Sequence, residues 1–352
     1  MNFTTIVFIL AVSAILTFVA TPFVKMLAQK IGAVDVPKDG RRMHKRPIPR
    51  LGGLAMFYGF IVSILVFVTL EPRLLGVLAG TLIIVILGVT DDRKALNAKP
   101  KFLIQILAAC IAVVAGVKIS FVTLPIFGEI VIPSPYAEII SVFWIVGITN
   151  AVNLIDGLDG LAAGVSLIAS VSMLFIALIM AHTESALISA ALVGCCIGFL
   201  PFNSNPAKIF MGDTGATFLG FVLGCVSIQG AFKSYALVSF VLPFMVLGLP
   251  IFDTAFAILR RIRHHKPIME ADRGHLHHRL IDIGFNQKQS VIILYSATSL
   301  LGLSAVVMAD RGLLKGLVLI AALVPVALAA FCYLIKKESE IKSEENTSEG
   351  EK

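Results

Sequence analysis

Two aspartates three residues apart, each followed by glycine, interrupt an apolar stretch in TNAVNLIDGLDGLAAGVS, residues 149–166. At i and i+3, Asp156 and Asp159 share a face of any helix that contains them. Gly157 and Gly160 argue instead for a break, with backbone N–H groups free to approach an anion or a base edge. Acids inside a span serve equally as a proton relay, but Asn150 and Asn153 beside them suit ligand or metal coordination better. Asp91 and Asp92 are adjacent at the end of another apolar run, with Arg93, Lys94, Lys99 and Lys101 following. They read either as a charged helix end at the water boundary or as a carboxylate pair that meets a divalent metal or a phosphoryl nucleophile. In FMGDTGA, Asp213 is either a helix cap or a ligand for a hard cation such as Mg²⁺, which takes one or two carboxylates plus substrate phosphates.

GHLHHRL carries His275, His277 and His278 beside Arg279. The spacing lacks the i, i+4 histidine pair and acid of HExxH, and no thiolate is near, so zinc is disfavoured. Mixed neutral and positive donors fit a pyrophosphate better. Asp253, apolar on both sides, reads as a supporting acid. The 25–50 stretch holds eight basic residues and is expected to be irregular; most of them read as topology determinants and anionic-lipid contacts. Arg50, Gly52 and Gly53, nearest the membrane, are the members placed to touch a substrate.

These residues are positioned by a chain that is 57% hydrophobic and 14% charged, where a soluble protein carries about 25% charged residues. The composition predicts an all-α integral membrane protein. Apolar runs near 3–22, 51–70, 74–90, 102–119, 137–153, 161–181, 185–202, 214–232, 235–259, 289–308 and 312–335 make about eleven transmembrane helices. The runs are continuous and do not alternate, which excludes barrel strands. The first run lacks a basic leader and a cleavage site, so it is expected to stay as a span. With the N-terminus outside, 24 of the 29 Lys and Arg fall on inside loops, which predicts N-terminus out and C-terminus in. The acids and histidines singled out then collect at the cytoplasmic face, where acids at helix ends beside basic loops make an interfacial anion-and-metal site. VKISFVTLPIFGEIVIPSPYAEI alternates around FGE and predicts a small external hairpin. Residues 1–335 form one multi-span unit, and 336–352, charged and without apolar periodicity, a disordered cytoplasmic tail. The five cysteines lie in apolar runs without a CxxC pair and suggest neither disulfides nor zinc.

The ordered set DD at 91–92, NAVNLIDGLDGL at 150–161, FMGDTG at 210–215 and GHLHHR at 274–279, with RRMHKRPIPRLGG at 41–53, resembles the polyprenyl-phosphate N-acetylhexosamine-1-phosphate transferases from about residue 20 to 335. The resemblance implies Mg²⁺- or Mn²⁺-dependent transfer of a sugar-1-phosphate from a UDP-sugar to undecaprenyl phosphate at the inner face of a bacterial plasma membrane, releasing UMP. It implies that Asp91 and Asp92 are catalytic, near the lipid phosphate, and that Asp213 and Asn153 hold the metal. Asp159 would contact uracil, Asp156 would lie in the nucleotide pocket, and Lys101 would contact phosphate. His275, His277, His278 and Arg279 would lie near the pyrophosphate. Leu276 separates His275 from His277, where the muramoyl-pentapeptide branch carries consecutive histidines. This looks like the N-acetylglucosamine branch, most like its teichoic-acid initiating kind.

Phosphoryl transfer between two anions is mostly positioning and charge neutralisation. A phosphate monoester with a second pKa near about 6 is largely dianionic at pH 7, so an aspartate has little proton to remove. Asp91 or Asp92 is therefore expected to position the attacking oxygen, in direct in-line attack. The rivals are the muramoyl-pentapeptide transferase and an ion-coupled transporter, which predicts midplane acids and repeat symmetry. The expected partners are UDP-GlcNAc, undecaprenyl phosphate and membrane lipid, with no nucleic acid; a homodimer is compatible with the sequence.

Overall fold

The computed structural model describes residues 3–37, 46–124, 128–230, 241–265, 267 and 274–325. Backbone groups in hydrocarbon must be satisfied within their own segment, so the continuous apolar runs close on themselves as helices. In chain order these are α1 (Phe3–Ile31), α2 (Gly53–Phe67), α3 (Pro72–Arg93), α4 (Ala98–Val114), α5 (Tyr136–Leu154), α6 (Leu161–Ile179), α7 (Thr183–Asn203) and α8 (Gly212–Gly230). After them come α9 (Val241–Val246), α10 (Gly248–Arg263), α11 (Leu276–Ile283), α12 (Gln287–Arg311) and α13 (Leu313–Pro325). Among the described residues six, α1, α3, α5, α6, α7 and α12, are long and apolar enough to cross a membrane. This is a multi-pass helical membrane protein.

Lipid offers helices no hydrophobic reason to associate, so close contact and interhelical hydrogen bonds hold the bundle. α1 packs on α7 and α2, α5 and α3 pack on α8, and α6 packs on α7 and α12. Ser13 Oγ on α1 donates to the Ala191 carbonyl of α7 at 2.8 Å. The outward face of α1 carries exposed Phe8, Ile15, Phe18 and Phe23, as a lipid-facing surface requires. α8 lies at the centre. From Gly212 to Gln229 each residue is buried except Asp213, so the one opening on the central helix is an acid.

Two expectations change. The 25–50 stretch is not irregular from its start, because α1 continues to Ile31 and stops at Gly32, whose φ of +76° ends the helix. KMLAQKI contains no breaker, so nothing earlier stops it. The span at 235–259 is broken: α9 ends at Val246 and α10 begins at Gly248, where Gly-Leu-Pro supplies a flexible residue and one lacking an N–H. Residues 235–240 of that run lie outside the described residues, as do 326–335 of the last run and the tail 336–352. The hairpin is present as β3 (Phe121–Leu124) paired antiparallel with β4 (Gly128–Val131). A second short pair, β1 (Val34–Asp35) with β2 (Ile48–Pro49), brings the chain from α1 to α2 and sits beside the polar residues described next.

Candidate active site

The residues after β2 are stitched to the start of α8. Phe210 N–H donates to the Pro49 carbonyl at 2.8 Å, Gly52 N–H to the Phe210 carbonyl at 2.9 Å, and Gly53 N–H to the Met211 carbonyl at 2.9 Å. Arg50 is thereby carried to Asp92, at the last turn of α3. Its Nε lies 3.0 Å and its Nη2 2.9 Å from Asp92 Oδ1. That oxygen also accepts from Asp213 N–H at 2.9 Å, while Oδ2 accepts from Thr214 N–H at 3.0 Å and Thr214 Oγ1 at 2.6 Å. Asp92 thus caps α8 from a different helix, satisfying N–H groups that have no intrahelical partner. Gly212 permits this: its φ is +69°, and a Cβ there would lie 2.3 Å from Asp92 Oδ2. Burial works against the Arg50 charge, but Asp92 and Asp213 outweigh it and hold its pKa above the ordinary value.

Asp91 faces a different partner. Its Oδ1 accepts from Leu96 N–H at 2.7 Å and its Oδ2 from Lys101 Nζ at 2.7 Å. Lys101 Nζ also donates to Asp213 Oδ2 at 2.5 Å, and Arg50 Nη2 lies 3.8 Å from Asp213 Oδ1. Three acids from α3 and α8 and two cations therefore form one cluster. Asp91 and Asp213 are cross-linked by a lysine, whereas Asp92 is saturated by backbone, hydroxyl and guanidinium.

A cavity of about 380 Å³ meets this cluster at Arg50 and Asp213 and is also lined by Asn153, Asp156, Asp159 and His278 among the residues predicted from sequence; Asp91, Asp92 and Lys101 stand behind its wall and do not line it. Asp156 and Asp159 lie in the break between α5 and α6, as the glycines predicted. Asp159 Oδ2 accepts from Ala207 N–H at 2.9 Å and from Asn205 Nδ2 at 3.1 Å, which ties the break to the α7–α8 connection. Asn150 is not part of the site; its Nδ2 donates to Gln105 Oε1 at 2.7 Å and joins α5 to α4.

Asp156 faces the cavity but is enclosed on its other sides. Burial first, then Asp213 and Asp92, lift its carboxyl to about 8 against the pull of Arg50. Between the ordinary aspartate value near about 4 and this raised value, the folded chain keeps a proton that the unfolded chain has lost. Stability therefore falls as pH rises through that window. Asp156→Asn is expected to leave stability unchanged near pH 4 and to raise it at pH 8.5 by about 1–3 kcal/mol, discounted for the open side of the group. Melting in detergent at the two pH values checks this; an equal difference at both would refute it.

The histidine motif divides. Asp253 on α10 is buried, its Oδ2 lying 2.8 Å from His275 Nδ1 and its Oδ1 accepting Leu276 N–H at 2.7 Å, so it orients His275 and caps α11. His277 is buried over the break: a Cβ on Gly157 would lie 2.1 Å from its Nε2, which is why that position has none. Burial, with His278 beside it, pushes His277 down to about 3 and keeps it neutral. The rings of His277 and His278 lie 4.3 Å apart, and His278 reaches the cavity. His275 does not line it, and Arg279 is exposed outside it.

Among the described residues no three His, Cys, Asp or Glu side chains stand close enough to hold an ion alone. The donors at the cavity floor are nonetheless oxygens, from Asp213, Asp156 and Asn153, and suit a hard cation completed by substrate phosphates. The sequence reading did not single out Asn203, Phe210, Asp35 or Gln287, all of which line the cavity. Asn203 Nδ2 donates to the Ile209 carbonyl at 3.1 Å, and its buried Oδ1 has no hydrogen-bond partner among the described residues. The cue was two asparagines in PFNSNPAK at a span end, a stretch passed over for the Asp213 that follows it.

Fold and site together define a multi-pass membrane protein with a carboxylate–cation cluster beside a polar cavity. The chain belongs to glycosyl transferase family 4. The profile of that family, "Glycosyl transferase family 4", matches residues 74–231. A Bacillus subtilis protein described as "Probable undecaprenyl-phosphate N-acetylglucosaminyl 1-phosphate transferase" is 43% identical, over 84% of this chain and 83% of its own length. A "Decaprenyl-phosphate N-acetylglucosaminephosphotransferase" of Mycolicibacterium smegmatis is 38% identical over 80% of this chain and 77% of its own. A "Phospho-N-acetylmuramoyl-pentapeptide-transferase" of Staphylococcus saprophyticus is 31% identical over 84% and 97%.

Proposed function

We propose that this chain transfers N-acetylglucosamine-1-phosphate from UDP-GlcNAc to undecaprenyl phosphate, releasing UMP, in a cleft that faces the cytoplasm. The observation that carries the reading is Asp213, the half-buried position on the otherwise buried central helix, held between Lys101 and Arg50 in the cavity wall. The relatives named for N-acetylglucosamine transfer support the sugar, and the basic inside loops support the orientation. A transporter would place its acids along a path through the membrane; here Asp91, Asp92, Asp156, Asp159 and Asp213 gather at one end of the bundle.

The reaction joins an oxygen of the acceptor phosphate to the donor's sugar-bearing phosphorus, and the bond to UMP breaks with its electron pair leaving on UMP. Both reactants are anions, so the residues must hold them together against repulsion. Lys101 and Arg50 supply positive charge to that meeting point. Asp91, fixed by Leu96 N–H and Lys101, orients the attacking oxygen. Asp92 positions α8 and does not touch the reactants. Asp159, in the cavity wall, would contact the base; His278, also in that wall and backed by buried, neutral His277, would face the diphosphate. Asp213 and Asn153 would hold Mg²⁺ or Mn²⁺, which when bound neutralises the departing phosphate.

The test uses the protein in liposomes with labelled UDP-GlcNAc, undecaprenyl phosphate and MgCl₂. The reading predicts butanol-extractable label and UMP in equal amounts, both abolished by EDTA. Label only from a UDP-muramoyl-pentapeptide donor would move the chain to the other branch. No transfer, with uptake driven by an ion gradient, would replace the enzyme by a transporter.

A further inference from the structure

A second cavity, of about 590 Å³, adjoins the first, and Asp159 and Gln287 line both. Its walls come from the inner end of α1, from residues 46–49, from the 205–208 turn and from the start of α12. Three of these segments each present one cation, Lys25, Arg46 and Lys208. The acid in the wall, Asp159, is already engaged by Asn205 and Ala207. Among the described residues none of the three cations is paired with an acid. Three like charges around one concave space repel each other, and an anion between them relieves this.

We propose that this cavity binds the phosphate of an anionic phospholipid headgroup. A lipid is favoured over a soluble phosphate because Lys25 stands on α1 beside the exposed Phe23, Met26 and Leu27. An anion that carries acyl chains gains apolar contact there, while free phosphate gains only charge. Occupancy has a consequence for the first cavity. Asn205 Nδ2 is shared between Asp159 Oδ2 at 3.1 Å and Gln287 Oε1 at 2.7 Å, and Lys208 follows it in the same turn. An anion drawn to Lys208 fixes that turn and, with it, the bonds that hold Asp159. The binding half of the proposal stands without the transferase activity; the coupling half rests on it.

Binding is measured on the full chain in neutral detergent, by melting while dihexanoyl phosphatidylglycerol is titrated in. The wild type is expected to gain about 3–6 °C. In the double variant Lys25→Gln/Lys208→Gln, half-saturation moves up by roughly tenfold or more. Lys30→Gln/Lys94→Gln, the same loss of charge on exposed residues outside the cavity, is expected to respond as wild type does. An equal loss in that control would show a bulk charge effect and overturn the site. The same rise with millimolar inorganic phosphate alone would overturn the lipid assignment. For coupling, liposomes containing phosphatidylglycerol should lower the UDP-GlcNAc KM roughly fivefold against phosphatidylcholine in wild type but not in the cavity variant. Binding without any KM response would refute the coupling and leave the transferase reading untouched.

Discussion

Replacing Asp213 by asparagine is expected to lower turnover by roughly 10³ while the fold survives, a loss of the size seen when one fixed electrostatic contact to a reacting group is removed. Asparagine keeps the shape and an oxygen for Lys101, and the position is partly open to solvent, so little is lost in packing. The lost quantity is a negative charge at the one place on α8 where a cation could meet substrate. Weaker binding of Mn²⁺, followed by its paramagnetic signal in the presence of UDP-GlcNAc, should accompany the slower rate. Wild-type turnover by this variant would remove Asp213 from the chemistry.

The neighbouring acid pair should separate in the opposite way. Asp92→Ala is expected to destabilise the chain by about 2–4 kcal/mol, because it orphans the Asp213 and Thr214 N–H groups and takes the nearest carboxylate from half-buried Arg50. The same change at Asp91 removes one lysine contact, from a lysine that keeps Asp213, and orphans only Leu96 N–H, so it should cost activity far more than stability. Melting and rate measurements on both variants distinguish the roles. If the two lose stability equally, the assignment of Asp92 as the cap of α8 fails.

That division was not legible in DD. Adjacent aspartates are chemically the same in sequence, and their roles differ because one points at α8 and the other at Lys101, a contact between residues 91, 101 and 213. The helical, multi-pass character was legible because continuous apolar runs leave the backbone only one way to satisfy itself; of about eleven expected spans, six among the described residues are long and apolar enough to cross a membrane. The break at Asp156–Gly160 was legible from its glycines, although the reason for Gly157 was not, since His277 approaches it from far along the chain. The interruption near Leu247 was hidden because both halves are apolar, and α1 ran longer than expected because basic residues are good helix formers. Asn203 and Gln287 escaped because neutral amides carry no charge signal; only the cavity shows them.

The proposed mechanism aligns two phosphates in one cleft for direct transfer, with no covalent stop on an aspartate. Exchange of labelled UMP into UDP-GlcNAc, followed with and without undecaprenyl phosphate, distinguishes the two routes. Direct transfer gives exchange only when the lipid acceptor is present. Steady exchange in its absence, with label from sugar-labelled UDP-GlcNAc retained on the protein, would rule it out.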